Sequence, residues 1–405
     1  MKIGRIDVRE LAEMYGTPLY VYDRDVLIKS AERFRNAFKK YNGNLIIAYA
    51  LKANSNPKIV EILGSLGFGA DAVSIGELFI AIKSGIDPKK IVFNGNNKQE
   101  NEIKFAIEKE ILMFNVDSIS ELKRISCIAE EYGEAVRVAF RINPDVSADV
   151  HPHIATGLKK SKFGIQIEDA YEAYSLAESL EYIVPIGIHT HIGSQILKKE
   201  PFIESAQKIV DLVNRIEDKL SISIQYINLG GGVGIAYREE EKELDVNELS
   251  DSIIPIIEKA GKRTLILEPG RYIVGRSGYL VTKAGYIKYN PSLGKIVSVD
   301  AGMNVLIRPM LYNAYHKVVN AEDRGKKEIV TIVGPICESG DILAVKREIS
   351  EVKEGDLLVF FDVGAYGFSM ASRYNARPLP AEIMVYGNRS EVIRERETLE
   401  SLVSL

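Results

Sequence analysis

The chain has 405 residues, with 52 Lys and Arg against 56 Asp and Glu, for a formal net charge of −4. That length allows two domains, one of them large, and the balanced charge argues against a nucleic-acid or membrane-surface partner. Two cysteines, Cys127 and Cys337, are too few for a disulfide framework or a Cys-rich zinc site, no apolar run is long enough to span a bilayer, and Met1–Asp7 lacks the apolar core of a signal peptide, so a cytoplasmic protein is expected.

From about residue 24 to residue 275, short apolar runs alternate with amphipathic stretches. Leu45–Leu51, Gly67–Val73, Ile91–Phe93, Leu112–Val116, Val136–Ile142, Ile186–Ile192, Gln225–Leu229 and Leu265–Leu267 predict strands. Between them, helical patterns run over Asn56–Leu66, Ser74–Ser84, Gln99–Glu110, Ser118–Tyr132, Ile167–Ser179, Phe202–Leu220 and Asn247–Ala260. Ser74 with Glu77 three residues on, and Asp117-Ser118, supply caps. Eight strands, each followed by a helix, predict an α/β fold, a (β/α)8 barrel over 24–275, and the usual length of about 250 residues agrees. An open doubly wound sheet is the competing topology. Cys127 falls in the helical pattern Glu121–Tyr132 and is expected to be a small core residue.

After Arg276 the texture changes. Tyr279–Ile287, Lys295–Val299, Glu328–Val333, Asp356–Asp362 and Ala381–Tyr386 are strand-like and separated by Gly, Pro and Asn turns. They predict a β-rich domain (a β-barrel or sandwich) over 276–405, completed by residues 1–23 through Tyr20-Val21-Tyr22. Glu239–Glu243 and Glu391–Glu400 read as solvated surface.

In a barrel, chemistry sits at the carboxyl ends of the strands. Lys52 ends the first predicted strand and Asp71 the second, Arg141 and Asn143 end the fifth, and His189 and His191 lie on the sixth. Gly230-Gly231-Gly232 follows the seventh, and Glu268, Gly270 and Arg271 follow the eighth. Taken alone, Lys52 reads as a lysine snorkelling out of a strand end. In a partly desolvated place its amine becomes available for a Schiff base with an aldehyde. The triple glycine suits a phosphate, because backbone N–H groups can approach an anion closely there. His189-x-His191 has metal-ligand spacing. However, His151, His153 and His316 lie in loop-like or unrelated segments and the carboxylates show no ligand spacing, so no metal is expected. Glu268 and Arg271 read either as a local salt bridge or as partners for a ring nitrogen and an oxyanion.

These residues resemble a known family. Tyr49-Ala50-Leu51-Lys52-Ala53-Asn54, His189 to Gln195, Asn228 to Gly232, Glu268-Pro269-Gly270-Arg271, Cys337-Glu338-Ser339-Gly340-Asp341 and Gly364-Ala365-Tyr366-Gly367 are similar, in order along the chain, to the diaminopimelate decarboxylase family. That family belongs to the barrel-type decarboxylases dependent on pyridoxal 5'-phosphate, which include ornithine decarboxylase. The resemblance implies that Lys52 holds the cofactor as a Schiff base, His191 stacks on its ring and Glu268 meets its pyridine nitrogen. It places Asp71, Ser194, Gly230, Gly231, Gly232, Gly270, Arg271 and Tyr366 around the cofactor, and Arg271, Arg308, Tyr312, Glu338 and Tyr366 around the substrate. Cys337 and Glu338 would enter from the partner subunit of a homodimer, with Cys337 the acid that protonates the α-carbon. The implied substrate is meso-diaminopimelate and the implied product L-lysine.

Three alternatives stand beside this reading. An ornithine-type decarboxylase needs an anionic partner for a distal ammonium, whereas Arg271, Arg308 and Tyr312 suit a carboxylate. A racemase would place a cation, not Glu268, at the ring nitrogen. A non-catalytic homologue would have lost Lys52 or Cys337, and both are present. Without the family pattern, Cys337 reads as a buried structural thiol.

Overall fold

Eight parallel strands close into a ring in the computed structural model, which describes residues 1–147 and 162–403. They are β1 Asn44–Ala50, β2 Gly69–Ala72, β3 Ile91–Phe93, β4 Met113–Val116, β5 Val136–Asn143, β6 Ile183–His189, β7 Tyr226–Asn228 and β8 Thr264–Leu267. Neighbours in sequence pair in parallel, and β8 returns to β1, with Thr264 opposite Asn44. That last pairing makes a closed barrel rather than an open doubly wound sheet. Ala48, Val92, Leu112, Met113, Ala139 and Ile266 form one buried cluster inside it. Space there is short: a Cβ on Gly187 of β6 would come within 2.9 Å of the Ala139 Cβ and 3.2 Å of the Met113 sulfur.

The strand ends are set by the helices that follow. Ser74 caps Ile75–Lys83, its Oγ accepting the Glu77 N–H at 3.2 Å. Ser118 does the same for Ile119–Tyr132 through the Glu121 N–H. On that second helix Leu122, Ile125, Ile128 and Ala129 face inward at the 3.6-residue period. Cys127 falls outside that stripe and is exposed, so it is not the core residue expected. His151 and His153 lie outside the described residues.

The barrel belongs to one compact unit, Ala31–Ile235 with Lys242–Ile273, and the second unit comprises Met1–Ser30, Ala236–Glu241 and Val274–Leu405. The second unit is built on a sheet ordered Ile342–Ser350, Lys327–Val333, Gly294–Val299, Gly278–Asn290, Leu19–Asp23, Ala381–Tyr386 and Arg389–Arg394. Leu19, Val21, Val281, Val359, Ile383 and Val385 pack in its core. Leu19–Asp23 therefore lies inside the sheet, antiparallel to Gly278–Asn290 and parallel to Ala381–Tyr386. Arg389–Arg394 is a strand although it overlaps the charged run Glu391–Glu400. Among the described residues it pairs along one side only, with Ala381–Tyr386, and charged side chains on an edge strand discourage pairing with other chains. Among the described residues no helix is long and apolar enough to cross a membrane.

Candidate active site

The carboxyl ends of the barrel strands bring together a connected set of polar side chains. Lys52 lies in the turn Leu51–Ala53, just beyond β1, and its Nζ is 2.8 Å from Asp71 Oδ2 on β2. The lysine side chain is one-third exposed while Asp71 is fully buried. Asp71 Oδ1 accepts from Asn94 Nδ2 at 2.7 Å, and the same nitrogen donates to Glu268 Oε1 at 2.8 Å. Asn228, at the end of β7, donates to that Oε1 at 2.7 Å. His189, the last residue of β6, places Nε2 3.3 Å from Glu268 Oε2. Burial holds the Asp71 carboxyl above its ordinary range, against the pull of Lys52. Burial also opposes the Glu268 anion, but His189 and Lys52 outweigh it and hold that carboxyl well below the ordinary range.

His191 lies beyond the end of β6, although the strand was expected to run on to Ile192. Its Nδ1 accepts the Gly231 N–H at 3.1 Å, which puts the ring proton on Nε2. Burial, with Lys52 and Arg141 nearby, pushes its pKa well below the ordinary histidine value, and the ring is neutral. Among the described residues no three His, Cys, Asp or Glu side chains are grouped to hold a metal.

The turn after β7 is built to a tight tolerance. Gly230 and Gly232 have φ of +68° and +112°, and a Cβ on Gly231 would lie 2.1 Å from the Glu268 carbonyl oxygen. Two of its amides are committed inside the protein: the Gly230 N–H donates to Asn228 Oδ1, and the Gly231 N–H to His191. Arg271, almost fully buried after β8, donates to Ser194 Oγ at 3.1 Å. Gly270 packs against the Lys52 turn, where a Cβ would come within 3.0 Å of Ala53 and 3.1 Å of Ala50.

The remaining expected residues belong to the second unit. Arg308 is buried; its guanidinium lies over the Tyr237 ring and donates to Tyr237 Oη at 3.2 Å and His316 Nε2 at 2.9 Å. Tyr312 ends the short helix Arg308–Tyr312 and is half-buried. Tyr366 is half-buried with φ of +57°. Cys337 is exposed, not a buried thiol, and its N–H donates to Asn375 Oδ1. Glu338, also exposed, accepts from Tyr374 Oη.

Residues 25–275 match the family model described as pyridoxal-dependent decarboxylase, pyridoxal binding domain. The chain is also similar to the diaminopimelate decarboxylase of Aquifex aeolicus, at 46% identity over 402 residues covering 99% of this chain and 94% of the relative. The chain belongs to the diaminopimelate decarboxylase family. Two solved members were crystallised with L-lysine. The enzyme from Methanocaldococcus jannaschii superposes with a TM-score of 0.93 at 46% identity, over 98% of this chain and 93% of that one. The enzyme from Helicobacter pylori gives 0.93 at 40% identity, over 98% of each chain.

The side chains suit pyridoxal phosphate. An amine stands at the barrel mouth, a buried carboxylate below it can meet a ring nitrogen, and a turn closed to any Cβ lies beside an arginine and a serine. Asn94, Asn115 and Asn228 also belong to this network, although sequence reasoning singled out none of them as site residues. Their signal was their place at the ends of strands, where asparagine is ordinarily read as a turn former.

Proposed function

We propose that this chain decarboxylates meso-diaminopimelate to L-lysine and CO2 using pyridoxal phosphate. The observation that carries the reading is the pairing of Lys52 with Asp71 at the barrel mouth, joined through Asn94 to the buried Glu268. Bound pyridoxal phosphate supplies an aldehyde for an amine and a protonated ring that accepts the electron pair left as CO2 departs. Lys52 would hold the cofactor aldehyde. Glu268 would keep a proton on the ring nitrogen, and the neutral His191 would offer a flat face to the ring. With the Gly230 and Gly231 amides already engaged, the phosphate would fall to Ser194, Gly232 and Arg271, and Tyr366 is proposed as a further cofactor contact. Gly270 contributes by letting the Arg271 loop close on the Lys52 turn.

Arg308, Tyr312 and Arg271 are proposed to hold the substrate carboxylates. Their charge and donors select a distal carboxylate over the distal ammonium of ornithine. Cys337 would be the acid that gives a proton to the α-carbon, with Glu338 beside it in sequence. Both are exposed in the single chain, as groups offered to the site of a second copy would be. We therefore also propose a cytoplasmic homodimer with shared sites, no nucleic-acid partner, a cofactor domain over 24–275 and a second domain over 276–405 completed by 1–23.

The test is an assay of the purified, cofactor-loaded protein against meso-diaminopimelate, ornithine, arginine and lysine. CO2 release from meso-diaminopimelate, with L-lysine as product, supports the reading. A clear preference for ornithine or arginine would overturn the substrate assignment. Borohydride reduction followed by peptide mass analysis should place the cofactor mass on the Lys52 peptide, and finding it on another lysine would overturn the site.

A further inference from the structure

Asp71 and Glu268 are two carboxylates buried in one barrel mouth, fully enclosed and 3% exposed respectively. Two anions in a dry site repel each other, and the ordinary outcome is that one takes up a proton. The side chain between them is Asn94, itself almost fully buried. An amide nitrogen carries two N–H donors and no acceptor. Here one nitrogen lies 2.7 Å from Asp71 Oδ1 and 2.8 Å from Glu268 Oε1. Its orientation is fixed from behind, because Asn115 Nδ2 donates to Asn94 Oδ1 at 2.9 Å. A flipped Asn94 amide would set its carbonyl oxygen against both carboxylates and its NH2 against that of Asn115. Asn115 keeps its own buried Oδ1 without a hydrogen-bond partner among the described residues, a cost an apolar side chain would avoid. Lys98, ion-paired with Glu121 in the interior, donates to the Gly95 and Asn115 carbonyls and ties together the backbone on either side.

We propose that Asn94 is a positioning residue that gives one N–H to each carboxylate, so that Asp71 stays turned to Lys52 while Glu268 stays in place for the cofactor ring, with Asn115 setting the direction of the amide. This deepens the function proposed above and rests on it. Asn94 acts through the two carboxylates, which otherwise would compete for a proton or swing apart.

The test uses the cofactor-loaded protein carrying Asn94→Ala, Asn94→Asp or Asn115→Ala, with wild type as reference. The absorbance of the bound cofactor is followed across pH, and kcat and KM are measured separately. Without the shared donor Asp71 holds its charge less well, so the proton on the Lys52 nitrogen is less supported. In Asn94→Ala the band of the protonated form should then be lost at a pH about one unit lower than in wild type, the scale of weakening one nearby opposite charge. The isosteric Asn94→Asp, which removes both donors and adds a third anion, should lower kcat by about 10²-fold, the cost of a displaced reacting group, with little change in KM. Asn115→Ala, which leaves every contact to the carboxylates intact, should move the band in the same sense by less, and it serves if the Asn94 variants do not fold. An unshifted band with unchanged kcat in a folded Asn94 variant overturns the proposal; so does an unshifted band in Asn115→Ala if neither Asn94 variant folds. A wild-type protein that takes up no pyridoxal phosphate overturns the function itself instead, and the two failures are distinct.

Discussion

Glu268 is pulled in two directions, by burial towards the neutral acid and by its donors towards the anion. The pull towards the anion wins, led by His189 and then Lys52, while Asn94 and Asn228 donate to one oxygen and His189 lies against the other. Glu268→Gln should therefore keep the fold and lower kcat by about 10²–10³-fold, the usual loss when a preorganised electrostatic partner is removed. Decarboxylation near the wild-type rate would mean that its charge is unimportant. Lys52, Asp71 and Glu268 were legible in the sequence because each is a charged residue at the end of an apolar run. The asparagines joining them were not, since asparagine at a strand end is ordinary turn chemistry and only the closed ring shows that three of them converge. Cys127 was misjudged because one-residue phase on a helix decides inside from outside, and a lone cysteine carries too little pattern to fix that phase.

At the scale of elements, Ser74 and Glu77 close the amino end of Ile75–Lys83, and Glu77 Oε2 accepts the Val73 N–H at 2.8 Å. Burial, with Asp71 nearby, raises the Glu77 carboxyl from 4.5 to about 7. A carboxyl whose native pKa lies above its unfolded value binds protons more tightly when folded. Its stabilising contribution is complete below about 4.5 and is lost as pH rises through about 7. Glu77→Gln can retain the Val73 bond without that titration. Relative to wild type, the variant should thus gain about 1–3 kcal/mol between pH 5 and pH 8, read by urea unfolding at each pH. A difference that does not change with pH would rule out a buried, titrating Glu77. The turn after β7 makes a different demand. Gly231→Ala forces a Cβ onto the Glu268 carbonyl, so the turn must move and Glu268 with it. Cofactor affinity measured by titration should weaken by about tenfold or more, some 1.4 kcal/mol. Equal affinity in the variant would show that the turn relaxes without cost. The barrel strands were readable because both of their faces are covered, which leaves continuous apolar runs. Ile342–Ser350 and Arg389–Arg394 escaped because they are the outermost strands of the sheet order and charge interrupts their apolar pattern, at Lys346-Arg347-Glu348 in the first and at Arg389, Glu391 and Arg394 in the second.

At the scale of the whole molecule, the proposed sharing of sites has a quantitative signature. Inactive Lys52→Ala chains mixed with inactive Cys337→Ala chains should regain activity if the two residues meet across a two-fold interface. Each mixed dimer then holds one site with both changes and one with neither. Random pairing makes about half the dimers mixed, so about a quarter of all sites recover. No recovery, with subunit exchange confirmed independently, would place Lys52 and Cys337 in the site of the same chain. The order in which the polypeptide is made matters as well. Leu19–Asp23 finds its parallel neighbour only at Ala381–Val385 and its antiparallel one at Gly278–Val281. All eight barrel strands lie between Asn44 and Leu267. On a translating ribosome the barrel can thus close while Leu19–Asp23 still has both backbone edges bare. Pairing across so wide a span is slow, and a bare strand is a template for other nascent chains. During synthesis, the segment most exposed to misassembly is therefore a strand that ends up fully buried.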